Sequence, residues 1–253
     1  MINFFRRIRQ QLLSQNRFSK YLLYAIGEIV LVVIGILIAL QVNEWNENRK
    51  EAKREKETLK SLLIELEENK EIISNCIEGS INLMMSADTL RAQIGPTSTK
   101  FSIHKINLLL GEVGNTMTCN VLTDILEEIQ SSGKFNLISN DDLRKRISRW
   151  SSIKKNLDTE KINWDKDYAN TFQNYVMKWI SWEDIDYVLE GEAYGQYYKS
   201  KFNIDPRPML QEPEFANVMG VQYWRMERNR YYTQLIGAHT DTLISKIKTE
   251  LNQ

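Results

Sequence analysis

Glu28 is the only charged residue in the apolar run Tyr21–Val42, YLLYAIGEIVLVVIGILIALQV. A carboxyl among Leu, Ile and Val side chains has two roles open to it. It bonds a partner helix or lines a proton or ion path; alternatively, protonated or bonded to a neighbouring backbone or hydroxyl group, it fixes the register of a homo-oligomer. The second is the plainer expectation. Heptad steps from Ala25 meet Glu28, Val32, Gly35, Ala39 and Val42. The carboxyl therefore shares a helix face with small residues that let another helix come close. The expected partners are the lipid bilayer and a second copy of this chain or another membrane protein.

Other reactive side chains are few. Cys76 and Cys119 both follow the run. They form one disulfide if this part faces an oxidising compartment, or they are two buried free thiols. Without a C-x-x-C they carry no metal or redox signature. His104 and His239 stand alone in sequence, and a metal site would need both to meet carboxylates in space. A structural histidine is the better expectation for His239. There is no G-x-S-x-G, G-x-x-x-x-G-K-[ST], G-x-G-x-x-G or H-E-x-x-H, so no hydrolase elbow, phosphate loop, dinucleotide fingerprint or zincin site is indicated. No catalytic residue, cofactor or metal is assigned. The stretch Tyr187–Tyr198 is rich in Tyr and Gly and holds Glu190, Glu192, Tyr194 and Tyr197. It is the place to seek a ligand surface away from the membrane, although a solvated connection is the plainer reading.

The elements that must position these residues follow from length and pattern. Twenty-two residues of helix at about 1.5 Å each cover roughly 33 Å, enough for a bilayer core of about 30 Å. Tyr21 and Tyr24 mark one interface and Trp45 the other, as an aromatic belt does. The run is longer than a signal-peptide core, and Leu40-Gln41-Val42-Asn43 offers no A-x-A site, so an uncleaved anchor is expected. Residues 1–20 carry Arg6, Arg7, Arg9, Arg17 and Lys20 with no acid, and Phe4, Phe5, Ile8, Leu12 and Leu13 share one helical face. This basic amphipathic tail is expected on an anionic leaflet. Glu44–Lys60 has six basic residues beside five acidic ones. The count of basic residues alone does not fix orientation, but the unopposed tail charge favours a cytoplasmic N-terminus. In a bacterium the rest then lies in the periplasm, anchored in the inner membrane.

The chain has 253 residues with 33 basic and 33 acidic side chains. A net charge of zero argues against a nucleic-acid binder. Only 11 Gly and 4 Pro fit long helices with few turns. The expected organisation is a tail (1–20), a span (21–42), a charged helical neck (43–60) and a helical bundle (61–253). From Leu59 an apolar stripe runs through Leu62, Leu63, Leu66, Ile73, Cys76, Ile77, Ile81 and Met84, a core face at helical period. One continuous helix through span and neck is expected to stop near Gln93, before Gly95-Pro96. Short helices are predicted over Phe101–Glu112, broken by Gly111 and Gly114, and over Thr118–Ser131, with Gly133 as C-cap. Ser139-Asn-Asp-Asp142 matches a capping box, opening a helix over Asn140–Trp182. Its stripe Trp150, Leu157, Trp164, Tyr168, Phe172, Tyr175 and Trp179 is expected in the core rather than around a ligand. Residues 183–213 are expected to be irregular, with Pro206, Pro208 and Pro213 in their second half. Pro213 suits a first helical turn, and the last helix is predicted over Glu214–Leu251. No strand is expected. The fold class is all-α: a single N-terminal transmembrane helix continuing into an elongated antiparallel helical bundle.

The N-terminal third also resembles a known family. FFRRIRQQLL followed by RFSKYLLYAIGEIVLVVIGILIALQVNEWNENRK is similar to an uncharacterised family of small single-pass membrane proteins found in Bacteroidota. The likeness is dense over residues 2–50, with a weaker echo in SSGKFNLISNDDLRKRI, Ser131–Ile147. It implies a bacterial membrane location and makes Gly27-Glu28 a family feature. It transfers no activity and no site residue. The expected function is a membrane-anchored, non-catalytic helical module that acts as an interaction scaffold or accessory subunit. A sensor-like periplasmic domain read by a separate cytoplasmic partner is the alternative, and an enzyme with an unrecognised site is the least favoured.

Overall fold

The computed structural model describes residues 18–115, 118–190 and 197–252. The chain divides into two units, Met1–Glu57 and Thr58–Gln253. Helix α1 runs Phe18–Arg91, 74 residues, and supplies residues to both. The remaining α-helices longer than one turn are α2 Ile103–Gly114, α3 Asp124–Ser131, α4 Asp141–Asp167, α5 Trp182–Glu190 and α6 Pro213–Glu250. No strand occurs among the described residues.

In the first unit α1 has no proline, and its glycines, Gly27 and Gly35, meet no neighbour within 4 Å. An 18-residue stretch of α1 is apolar enough to cross a membrane, and none of it is buried in the protein. Leu31, Ile36, Leu37 and Leu40 are all more than half exposed. Beyond it, Glu47–Lys50 and Lys53–Glu57 pair along the helix, and Arg49 lies over the Trp45 ring at 5.9 Å. Such exposed helical pairs contribute little to stability, because water screens them.

In the second unit α6 runs antiparallel to α4. Asn140 meets Glu250, Lys246 meets Asp142, Trp150 meets Thr240, and Asp167 meets Arg225. It also runs antiparallel to the C-terminal part of α1, through Glu67–Lys248, Lys70–Asp241 and Asp88–Tyr223. The result is an antiparallel bundle with two apolar clusters. One gathers Leu59–Ile73 of α1, α3, and the halves of α4 and α6 around Trp150 and Ile236. The other gathers Met84–Leu90, α2, Trp164–Ile185 and the start of α6 around Phe215 and Met219. The aromatic stripe is core as expected: Trp150, Trp164, Phe172 and Tyr175 are buried.

Several boundaries differ from the sequence pattern. The capping side chain is Asn140, which accepts from the backbone N–H of Asp142 and Leu143 at 3.0 and 3.2 Å. The predicted box on Ser139 is thus displaced by one residue. The helix from Asn140 does not reach Trp182. It becomes a π-helix over Tyr168–Gln173, and backbone bonds Lys178 N to Tyr175 O and Trp179 N to Val176 O close it with tight turns. The π-turn shifts the face so that Phe172, Tyr175 and Val176 all bury. The stretch expected to be irregular from 183 then opens as helix α5. Residues 118–123 are not helical, so α3 starts at Asp124. Gly111 lies inside α2 with α5 packed close against it, whereas Gly114 is the last residue of α2. A Cβ on Gly111 would sit 2.6 Å from Leu189 Cδ1 and 2.9 Å from Ile185 Cγ2. One on Gly114 would meet the Tyr168 ring at 3.3 Å. Gly133 follows α3 in the left-handed conformation at φ 77°, as a C-terminal glycine should. Ile81, expected inward, is 44% exposed.

Candidate functional site

In the first unit the helical backbone puts Ala25, Glu28, Val32, Gly35 and Ala39 on one face, within an arc of roughly 80°. Ala25 and Glu28 are partly covered; Val32, Gly35 and Ala39 are exposed. Arg6, Arg7, Arg9 and Arg17 lie outside the described residues, and so do the side chains of Lys20, Tyr21 and Tyr24.

In the second unit the chemistry-bearing groups collect in four places. The first is an ion-pair network between α4 and α6. Glu160, 8% exposed, accepts from Arg228 at 2.9 Å and from Arg225 at 3.3 Å. Arg225 Nε also donates to Asp167 at 2.6 Å. Arg225 lies over the Trp224 ring at 4.6 Å and Arg228 over that of Tyr232 at 5.1 Å. Charges this enclosed stay stable only because each is paired. Two buried donors nearby, Trp164 Nε1 and Arg228 Nε, have no partner among the described residues. Trp164 lines a cavity of about 10 Å³ with Ser80, Leu83, Met226 and Asn229, which is too small for an organic ligand.

The second place is an open groove of about 270 Å³ beside α1 and α2, lined by Gly79, Asn82, Leu83, Ser86, Glu112 and Asn115. Ser86 Oγ donates to Glu112 Oε2 at 2.6 Å. Its volume falls just below the range of roughly 300–1,000 Å³ usual for ligand sites. The third is the contact of the π-turn with α5. Burial, with the Asp186 carboxylate beside it, pushes the Tyr168 phenol up to about 12. Burial also raises the Asp186 carboxyl above the usual range. No histidine joins either group. His104 is exposed on α2, and His239 lies on α6, where burial, then Arg149 and Arg146, lowers its affinity for a proton. Among the described residues no three His, Cys, Asp or Glu side chains are close enough to hold a metal. In the Tyr- and Gly-rich stretch, Tyr187 lies on α5 while Tyr197 and Tyr198 are exposed. Glu192 and Tyr194 lie outside the described residues, as does the Glu190 side chain.

The fourth place is one that sequence reasoning passed over. Glu65, Asn69 and Cys76 project from α1 within an arc of about 40°. Cys76 and Asn69 hold the non-helical stretch before α3, and Glu65 holds the first turn of α3. Cys76 and Cys119 are disulfide-bonded, with Cα atoms 5.6 Å apart, which decides the alternative left open by the sequence. Asn69, fully buried, donates to Leu122 O at 2.9 Å and accepts from Leu122 N at 2.6 Å. The Glu65 carboxylate accepts from Ile125 N at 2.7 Å and Leu126 N at 3.2 Å. It thereby caps α3 from another helix, since Thr123 makes no side-chain cap bond of its own. Burial raises the Glu65 carboxyl above its usual range, opposed by these two backbone donors. The signal was present: Glu65 and Asn69 are polar residues at the edge of the stripe Leu62, Leu63, Leu66 and Ile73.

No family model, no curated protein and no solved structure matches this chain.

Proposed function

We propose that the protein is a single-pass membrane protein of the bacterial inner membrane, with Tyr21–Val42 as its anchor. On this reading the N-terminal tail is cytoplasmic, with Arg6, Arg7, Arg9, Arg17 and Lys20 against the leaflet. The helical unit is periplasmic and serves as a non-catalytic interaction module or accessory subunit. The observation that carries this is the apolar stretch of α1, long enough to span a bilayer and wholly uncovered by the protein's own core. The Cys76–Cys119 bridge supports the orientation, because disulfides persist in oxidising compartments. The likeness of residues 2–50 to the uncharacterised Bacteroidota family supports the same location.

We also propose that Ala25, Glu28, Val32, Gly35 and Ala39 form the face that meets a second membrane helix, another copy or a different protein. The decisive experiment combines fractionation, topology and assembly. The protein should stay in membranes after carbonate extraction and leave them with detergent. Protease added to spheroplasts should digest the unit after Glu57 while sparing cytoplasmic markers. Crosslinking in membranes should trap a complex that Gly35→Leu abolishes. A soluble protein, a protease-protected helical unit, or a strictly monomeric protein with no co-purifying partner would overturn the respective part. Unchanged crosslinking in both Glu28→Gln and Glu28→Leu would remove Glu28 from the contact face.

A further inference from the structure

We propose that Cys76 and Cys119 form a pre-docked dithiol whose bridge closes in a fixed order. Cys76 engages a disulfide oxidant first, and Cys119 then resolves the mixed disulfide. Two observations carry this. The segment bearing Cys119 is held on α1 by contacts that do not involve sulfur. Fully buried Asn69 exchanges two hydrogen bonds with Leu122, three residues from Cys119. Glu65 takes the first free backbone donors of α3, and Val121, Leu126 and Ile129 sit in the apolar cluster. With the bond open, the segment therefore stays in place and the two thiols remain neighbours. The two cysteine residues also differ in exposure. Cys119 is 8% exposed, whereas Cys76 is only partly covered, on the outer edge of the same cluster. Thiol–disulfide exchange requires approach of the oxidant to the attacking sulfur.

The chemistry balances with glutathione disulfide as oxidant. The Cys76 thiol loses its proton to water and its sulfur attacks one glutathione sulfur. The glutathione S–S bond breaks, a Cys76–glutathione bond forms, and one glutathione thiolate leaves. The Cys119 thiolate then attacks Cys76 Sγ, forming the protein bridge and expelling the second glutathione. Two protein thiols are oxidised and one glutathione disulfide is reduced to two glutathiones. Docking turns the second step into an intramolecular reaction at high effective concentration, so the bridge should re-form readily after reduction. In this protein the disulfide acts as a self-restoring fastener rather than a hinge that releases residues 118–126.

The test uses the reduced full-length protein in detergent, glutathione disulfide and intact-mass detection. Cys119→Ser should accumulate one glutathione adduct at Cys76, at least tenfold faster than Cys76→Ser accumulates one at Cys119. In the reduced protein, the Leu122 amide, whose hydrogen bond to Asn69 does not involve sulfur, should keep its protection from hydrogen exchange to within about tenfold of the oxidised protein. Equal or reversed adduct rates overturn the order. Loss of that protection in a reduced protein of wild-type helicity overturns the docking.

Discussion

The indole Nε1 of Trp150 donates to Thr240 Oγ1 at 2.8 Å across the buried seam between α4 and α6. Thr240 in turn donates to Ile236 O at 2.8 Å. Thr240 is fully buried and Trp150 is 1% exposed, so neither group can turn to water instead. Replacing the hydroxyl by a methyl keeps the shape but orphans the indole N–H. Thr240→Val should therefore cost about 1–3 kcal/mol. Urea unfolding followed by circular dichroism should show a lower midpoint with an unchanged slope.

Glu160 is a different case, because its loss leaves charge behind. Arg225 keeps Asp167, whereas Arg228 keeps only Tyr232 as a hydrogen-bond partner among the described residues. Glu160→Ala should cost about 3 kcal/mol, the low end for breaking a buried pair, since Arg228 reaches solvent in part. The exposed Lys70–Asp241 pair spans α1 and α6 at 2.7 Å, yet Asp241→Asn should cost under about 1 kcal/mol. Raising salt should weaken the Asp241 effect and leave that of Glu160 nearly intact, which chemical denaturation at two ionic strengths resolves.

What could be read from the sequence was whatever one helix decides by itself. The apolar stripe on α1 from Leu59, the core aromatics from Trp150 to Tyr175, the Pro213 start of α6 and the Gly133 stop are all properties of residues three or four apart. The stop at Arg91 also falls near its Gly95-Pro96 signal. What was not legible depends on a neighbour. The π-turn at Tyr168 has no proline or glycine to announce it. It forms where Phe172 and Tyr175 must both face the second apolar cluster. Gly111 reads as a breaker but is a close-approach site for α5, whereas Gly114 does end α2 and also lies against Tyr168. Glu65 looks like one more charge in a charged helix until Ile125 and Leu126 arrive above it. Pairing of Cys76 with Cys119 likewise needed the fold, since 43 residues separate them.

Glu65 also gives the molecule a pH signature. Its folded-state carboxyl titrates above the unfolded value of 4.5, chiefly through burial. The folded protein then holds this proton more tightly than the unfolded chain does. The sign follows: the contribution is full below about pH 4.5 and is lost as pH rises through the raised folded value. Glu65→Gln removes this term and one of the two capping acceptors. The stability of wild type relative to Glu65→Gln should fall as pH climbs from 4.5 toward neutrality. A pH series of urea midpoints for both proteins measures it, and parallel curves would refute the assignment.

Two glycines in helices should respond to alanine in opposite directions. Gly220 is in α6 with nothing within 4 Å of a modest side chain. Gly220→Ala should gain about 0.5–1 kcal/mol by removing backbone freedom from the unfolded chain. Gly111 gains the same term but must admit a methyl group 2.6–2.9 Å from Leu189 and Ile185. Because the obstruction comes from two side chains of α5 at once, no single rotamer change relieves it, and the helix itself must move. Overpacking of this kind costs about 1–3 kcal/mol, which exceeds the propensity gain. Gly111→Ala should therefore destabilise by about 1 kcal/mol, and Gly111→Ala with Leu189→Ala should recover part of that loss. A double-mutant cycle on thermal midpoints reads the coupling directly.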